Sequence, residues 1–341
     1  MKFSRISYPG KTLAVATFDR RFELFTAYFL RFWLQRFGLK PDVVIAADAE
    51  GRLTEQYASP VKIPENFFKL WLFFLRHRYT TVLFLNPDHR KDVAVKWAAR
   101  LAFVRNRAGF APLKNFLPLN FSLPFNGENH HFVHQLKLFF EHLTGEKLAQ
   151  WAKPEINVVI DPEAAAVPVV ALDATDESLP HVLQQLIRFI NLIARDNACT
   201  VLIRSGGSAS AAELARTLSA AMTERAIENT TPVIDPPYEL ICTTLAEAAW
   251  VAGADLEVLN LAAALEVPTL AVFGPFNERV WQPFAPRARV LTGEFACRPC
   301  TPYPGAVVCK NAMPWECLSG MSAELMLATI QAMLRRKVKP A

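Results

Sequence analysis

At about 150 residues per domain, the 341-residue chain has room for two domains or one large one. Its 52% hydrophobic and 20% charged content excludes general disorder, and 13 Gly with 24 Pro in no repeating period excludes a collagenous or low-complexity chain. The net charge of +5 hides a split: residues 1–150 carry 22 Lys and Arg against 12 Asp and Glu, whereas residues 151–341 carry 15 against 20.

In chain order, residues 11–16 read as a buried strand and residues 20–37 as a helix, with Phe22, Phe25, Phe29, Phe32 and Trp33 at helical spacing. Residues 43–46 form a second short strand. Pro64 opens a helix that runs to residue 75, a Pro being tolerated in the first turn. A strand at 81–85, a helix at 91–103 and a helix at 132–143 that ends near Gly145 complete the first half. Residues 145–154 read as a linker, after which the pattern restarts. Strands are expected at 168–172, 200–204, 250–252 and 269–273, and helices at 180–194, 208–220, 239–249, 259–265 and 322–335. Strand–helix alternation of this kind argues for parallel sheets covered on both faces. Two such sheets in succession, 1–150 and 151–341, suggest two Rossmann-like domains with a cleft between them.

The first half also holds 27 of the 38 Phe, Trp and Tyr residues. A basic, aromatic half joined to a mildly acidic half points to different partners, although shared descent of an aromatic core would give the same split. Arg20, Arg21, Arg31, Arg36 and Lys40 flank the first aromatic helix, and Lys69, Arg76 and Arg78 flank the Phe-Trp run at 67–75. Most of these rings are expected in the core, with the cations forming the interface. The greasiest stretch, 67–75, is too short to span a bilayer and ends in Arg76-His77-Arg78. Met1-Lys2-Phe3-Ser4-Arg5 does not open a secretory signal. A cytoplasmic protein is therefore expected, its six Cys serving as thiols or metal ligands rather than disulfides.

Three local features carry chemistry. Val201-Leu202-Ile203-Arg204 runs into Ser205-Gly206-Gly207-Ser208, a Gly-rich turn before a helix, where exposed N–H groups suit phosphate. Plain turn chemistry is the alternative. Residues 255–275 make a polar turn, a small-residue helix, a Pro break and a strand ending in Gly274-Pro275 at a carboxyl edge, where α/β sheets bind ligands. Cys297, Cys300, Cys309 and Cys317 lie within 21 residues dense in Pro, with a C-x2-C opening. This spacing suits a tetrahedral structural metal, the alternative being four reduced thiols.

Over residues 255–317 the chain resembles the glycosyltransferases that include the lipopolysaccharide heptosyltransferases. The resemblance rests on Leu261-Ala262-Ala263-Ala264-Leu265-Glu266-Val267-Pro268-Thr269, Phe273-Gly274-Pro275 and Trp281-Gln282-Pro283-Phe284-Ala285-Pro286-Arg287. It implies an α/β GT-B fold, with an acceptor domain over 1–150 and a nucleotide-sugar domain over 151–341. The second domain would carry the Cys-rich segment 297–317 and a closing helix at 322–335. Where the family has Asp-Thr-Gly and then His, this chain has Asp255, Leu256, Glu257 and Asn260. Glu177 stands in place of the family's donor-binding Lys, and the Gly-Asp pair after the first strand is replaced by residues 17–23.

The implied activity is sugar transfer with inversion, heptose from ADP-heptose in the first instance, to a lipopolysaccharide-core, other glycan or protein acceptor. Asp19 or Glu23 would be the base, although Asp19 also suits a helix N-cap. Gly206, Gly207, Ser208, Glu213, Asp255, Asn260 and Gly274 would line the donor site, with Arg204 and Arg279 as phosphate contacts. Glu257 would set a negative charge beside the diphosphate. No organic cofactor and no nucleic-acid partner is expected. An anionic glycolipid acceptor would bring the protein to the inner membrane's cytoplasmic face. The competing reading is a catalytically impaired relative acting as a binding or assembly subunit.

Overall fold

The computed structural model describes residues 6, 8–17, 20–45, 52–112, 118–148, 153–161, 163–164, 166–303, 307 and 309–335. The chain divides into two compact units, residues 1–154 with 303–305, and residues 155–302 with 306–341.

The first unit runs β1 (Thr12–Ala16), α1 (Glu23–Phe37), β2 (Asp42–Ile45), α2 (Arg52–Glu55), β3 (Ser59–Pro60), α3 (Phe67–His77) and β4 (Thr81–Phe84). It continues through α4 (Val93–Leu101), β5 (Asn106–Phe110), β6 (Phe121–Leu123) and α5 (Phe132–Thr144). Its six strands are all parallel, in the order β3-β2-β1-β4-β5-β6.

The aromatic spacing of α1 is core packing, as expected. Phe25, Phe29 and Trp33 are buried, and Phe29 lies 5.9 Å and 6.0 Å, ring to ring, from Phe139 and Phe140 of α5. Arg36 at the end of α1 is ion-paired with Glu146 at the surface. α3 begins three residues after Pro64, because the Asn66 side chain accepts the N–H groups of Phe68 and Lys69 and so sets the start. β5 and β6 gave no strand signal: Asn106-Arg107-Ala108-Gly109-Phe110 is too polar to read as one, and its pairing with β4 defines it.

The second unit runs β7 (Val167–Asp173), α6 (Leu179–Ala194), β8 (Cys199–Arg204), α7 (Ser210–Ala221), α8 (Glu224–Glu228), β9 (Thr230–Ile234) and α9 (Tyr238–Ala246). Then come β10 (Ala248–Gly253), α10 (Leu256–Ala264), β11 (Thr269–Val272), α11 (Glu278–Trp281), β12 (Ala288–Leu291), α12 (Glu316–Ser319) and α13 (Ala323–Arg335). This sheet is also parallel, in the order β12-β11-β10-β7-β8-β9. α6 and α13 close its core through Leu186, Phe189, Ile190, Met326 and Ile330.

Two helix limits differ from expectation. α9 stops at Ala246, and residues 248–249 join β10 instead. α10 starts at Leu256 rather than 259, since Asp255 Oδ1 accepts from Glu257 N (3.1 Å) and Val258 N (3.2 Å) and caps it.

Each sheet therefore reverses direction once, between β1 and β4 and between β7 and β10. Such a switch point opens a crevice at the carboxyl ends of the strands, where α/β sheets bind ligands. Gly253 makes the second crevice sterically feasible: at φ +145°, a Cβ there would stand 2.1 Å from Ala171 O. Ala254 N instead donates to that carbonyl at 3.0 Å, which turns the chain toward Asp255. No helix among the described residues is long and apolar enough to cross a membrane.

Candidate functional site

In the first unit, the loop after β4 folds over the end of β1. Asn86 Oδ1 accepts from Asp88 N (3.0 Å), and Asp88 Oδ1 accepts from Arg90 N (3.0 Å) and Nε (2.9 Å). Lys96, fully buried in α4, donates from Nζ to the carbonyls of His89 (3.0 Å) and Lys91 (2.7 Å) and ties the loop down. Thr17, one residue past β1, donates its hydroxyl to Asp92 Oδ1 at 2.6 Å. Asp92 Oδ2 is buried and has no hydrogen-bond partner among the described residues.

Burial sets the charges here. It lifts the Asp92 carboxyl above the ordinary carboxylate range, against the opposing pull of Thr17 and Lys96. Burial also pushes Lys96 down to about 8, despite Asp92 and Asp88 nearby. For Asp88, burial acts upward, but the Arg90 guanidinium and N–H prevail and hold it below its usual value. Opposite shifts on adjacent acid and base groups are what desolvation produces, and they bring both titrations toward neutral pH.

In the second unit, Arg204 ends β8 and reaches across β7 to the start of α10. Its Nη2 lies 2.8 Å from Glu257 Oε2, and its Nη1 lies 3.6 Å from Asp255 Oδ2. Burial opposes its charge, but Asp255, Glu257 and Asp173 outweigh that and hold the guanidinium firmly protonated. The loop after β7 is itself built on carboxylates. Asp173 Oδ1 accepts from Thr175 N (2.9 Å) and Oγ1 (2.6 Å), and Asp176 Oδ1 from Ser178 N (2.8 Å) and Oγ (2.6 Å). Glu177 is exposed beside them.

The Gly-rich turn after β8 is different in character. Gly206 and Gly207 are exposed with φ of +63° and +83°, and Ala209 caps α7 without any side-chain hydrogen bond. The first N–H groups of α7 are thus not taken up by a capping side chain, as those of α10 are by Asp255. Asp235 anchors the turn by accepting from Ser205 N at 2.6 Å.

The four cysteines differ in exposure. Cys297 is exposed, Cys300 and Cys309 are half-buried, and Cys317 is packed in the hydrophobic core. Among the described residues no three His, Cys, Asp or Glu side chains stand close enough to hold a metal ion. The structure thus does not show the expected four-Cys metal insertion. They remain neighbours: burial raises the Cys300 thiol, and Cys297 and Cys309 raise it further. Cys309 Sγ accepts from Trp315 N at 3.3 Å. Arg298, between the first two cysteines, fastens the segment to the sheet edge by donating to the carbonyls of Gly274 (2.7 Å), Gly293 (3.1 Å) and Phe276 (3.1 Å).

Residues 193–308 match the model of glycosyltransferase family 9 (heptosyltransferase). The chain's two parallel six-stranded sheets are the fold of the GT-B heptosyltransferases. A glycosyl transferase family 9 structure from Veillonella parvula is 11% identical with a TM-score of 0.73, over 97% of this chain and 99% of that one. E. coli heptosyltransferase WaaC with ADP is 16% identical, with a TM-score of 0.64 over 95% and 99% of the two chains. The dodecameric iron-containing heptosyltransferase TibC, in complex with ADP-D-β-D-heptose, is 9% identical, with a TM-score of 0.57 over 96% and 77%. No curated protein sequence matches the chain.

The matched residues 193–308 include the Arg204 clamp, the Gly-rich turn, Asp255, Asn260 and Gly274. Of the expected donor residues, Gly206, Gly207, Ser208 and Glu213 are exposed around the start of α7. Asp255 and Asn260 are buried, and Gly274 is buried with its carbonyl bound to Arg298. Arg204, expected to meet phosphate, is instead held by its own carboxylates, and the charge of Glu257 is matched by that same guanidinium. Arg279 is exposed, with its N–H bound to Asn277. Among the expected bases, Asp19 lies outside the described residues. The Glu23 carboxylate faces Thr54, whose N and Oγ1 both lie 3.4 Å from Oε1. Sequence reasoning missed Asp92, Lys96, Asp173 and Arg298. Only the strand order, which puts the loop after β4 beside Thr17, singles out the first two.

Proposed function

We propose that the family 9 chain transfers a sugar from a nucleotide donor with inversion, heptose from ADP-heptose in the first instance. The acceptor would be a lipopolysaccharide-core glycan, another glycan or a protein. The observation that carries this reading is the family 9 match over residues 193–308, set on two sheets that each have a switch-point crevice.

In such a transfer, the acceptor oxygen attacks the anomeric carbon while its proton passes to a carboxylate, and the bond to the diphosphate breaks with its electron pair. Asp19 and Glu23 remain candidates for the base. Asp92 joins them, because it stands at the same strand edge as Thr17 and is desolvated. The departing diphosphate would be met at the start of α7 by Gly206, Gly207 and Ser208, since Asp255 already caps α10. Glu213, in the first turn of α7, and Asn260 stay proposed as donor contacts. A calorimetric and turnover screen of the full chain against ADP-heptose and other nucleotide sugars tests the reading. Absence of both binding and turnover with every donor would refute it.

The donor set Cys297, Cys300, Cys309 and Cys317 suits a thiolate-bound structural zinc or iron. When bound, the metal would cross-link a segment rich in turn residues, drawing the four thiols together. Elemental analysis of the native protein should find close to one equivalent, lost in Cys300→Ser, and less than about half an equivalent would count against it.

A further inference from the structure

The outward faces of α3 and α4 form one apolar surface with a cationic margin. Both helices turn inward over a single core cluster, α3 through Leu70 and Phe74, α4 through Val95, Ala98 and Ala99. Since they share that cluster and pack side by side, their opposite faces look out together. On α3 those faces present Phe68 (63% exposed), Leu72 (45%) and Leu75 (40%), at i, i+4 and i+7. On α4 they present Trp97 (37%) and Leu101 (49%), and Phe103 just beyond stands 88% exposed. Sequence reasoning placed most of the rings in the core, and for Phe67 and Phe68 the structure reverses this. Rings and aliphatic chains left in water on adjacent helices are not the scattered exposure that a soluble surface tolerates.

The charge in this span is mostly positive. Residues 65–105 contain eight Lys and Arg against three acids. Asp88 is paired with Arg90, Asp92 is bound to Thr17 and Lys96 is itself fully buried, which leaves the exposed Lys69, Arg76, Arg78, Lys91 and Arg105 against the exposed Glu65. On α3, Lys69 and Arg76 lie a helical heptad apart along the flank of the Phe68, Leu72 and Leu75 stripe, and Arg78 caps its end. Arg105 is exposed next to Phe103. Trp71 is half-buried within the same helix, and its ring centre lies 5.5 Å from that of Phe68.

We propose that the α3–α4 face docks on an anionic lipid bilayer. Its rings and aliphatic side chains would enter the headgroup boundary while Lys69, Arg76, Arg78 and Arg105 meet lipid phosphates. Aromatic rings ringed by cations fit that boundary, whereas a second copy of this face would bring the like-charged margins together. The proposal deepens the reading of a membrane-borne glycolipid acceptor, on which its purpose rests. Its physics depends on no sugar chemistry.

The test is sedimentation of the full chain with vesicles of phosphatidylglycerol and phosphatidylethanolamine, with phosphatidylcholine vesicles as the neutral control and no nucleotide sugar present. The wild type should partition onto the anionic vesicles, with a blue shift of tryptophan fluorescence, and salt should weaken the binding. Lys69→Glu/Arg76→Glu/Arg78→Glu and Phe68→Ser/Leu72→Ser/Trp97→Ser should each lower partitioning by roughly tenfold or more. Lys69, Arg76 and Arg78 are exposed and none of Phe68, Leu72 and Trp97 belongs to the buried core, so both variants should stay folded, which their melting transitions check. Equal partitioning of wild type and variants, or no preference for anionic over neutral vesicles, overturns the proposal. So does self-association of the wild type without vesicles that the same substitutions abolish. Donor calorimetry on these variants reads the sugar-transfer proposal separately, so either one can fail alone.

Discussion

Replacing Arg204 with Met removes a cation that links Asp255 and Glu257. The two acids would respond differently. Glu257, with 17% of its side chain exposed, can turn toward water, whereas Asp255 is 1% exposed and cannot. Breaking a buried ion pair by removing one partner costs about 3–5 kcal/mol, mostly through the charge left behind. Asp255 retains the N–H bonds of Glu257 and Val258, which share that charge and place the loss near about 3 kcal/mol. Urea denaturation of the full chain, followed by fluorescence, measures the loss. Trp250 and Trp281, both buried in the second unit, report its transition. In Arg204→Met/Asp255→Asn the stranded charge is gone while the cap persists. The double variant should therefore be less destabilised than the two single losses summed, by at least about 1 kcal/mol. A loss below about 1 kcal/mol for Arg204→Met, or simple additivity, would refute the clamp.

Three further outcomes are expected. Glu257→Gln removes a negative charge expected beside the diphosphate while leaving Arg204 to Asp255 and Asp173, so ADP should bind several-fold tighter by calorimetry, at an expected gain of about 1 kcal/mol. Asp92→Asn should lower sugar turnover by roughly a hundredfold or more while leaving the calorimetric Kd for the donor unchanged, and unchanged turnover would exclude Asp92 as the base. Lys96 titrates near 8 in the folded chain against an ordinary 10.5, so between those pH values the folded protein holds fewer protons than the unfolded chain. Stability from this group thus rises with pH across that window and is lowest below it, by at most about 3 kcal/mol. Lys96→Met should abolish that rise in urea titrations, and a rise equal to the wild type would show that Lys96 is not its source.

The sequence by itself determined the two α/β units and most of their elements. Apolar runs such as Thr12–Ala16 and Thr269–Val272, and the aromatic spacing of α1, are local patterns that survive any arrangement of the chain. Local capping was legible in principle as well, since Asp255 and Asn66 act within three residues of themselves. Strands such as β5 were not legible, because pairing with β4 rather than composition makes them. The charge of Glu257 was visible in the sequence, but its pairing with Arg204, 53 residues away, was not. Nor was the meeting of Thr17 with Asp92 across 75 residues. Both pairings follow from strand order, β8 beside β7 and β4 beside β1, which no short window of sequence encodes. The outward face of α3 shows the same division. That α3 was a helix was legible, but which rings faced water was settled only when Leu70 and Phe74 found the core they share with α4.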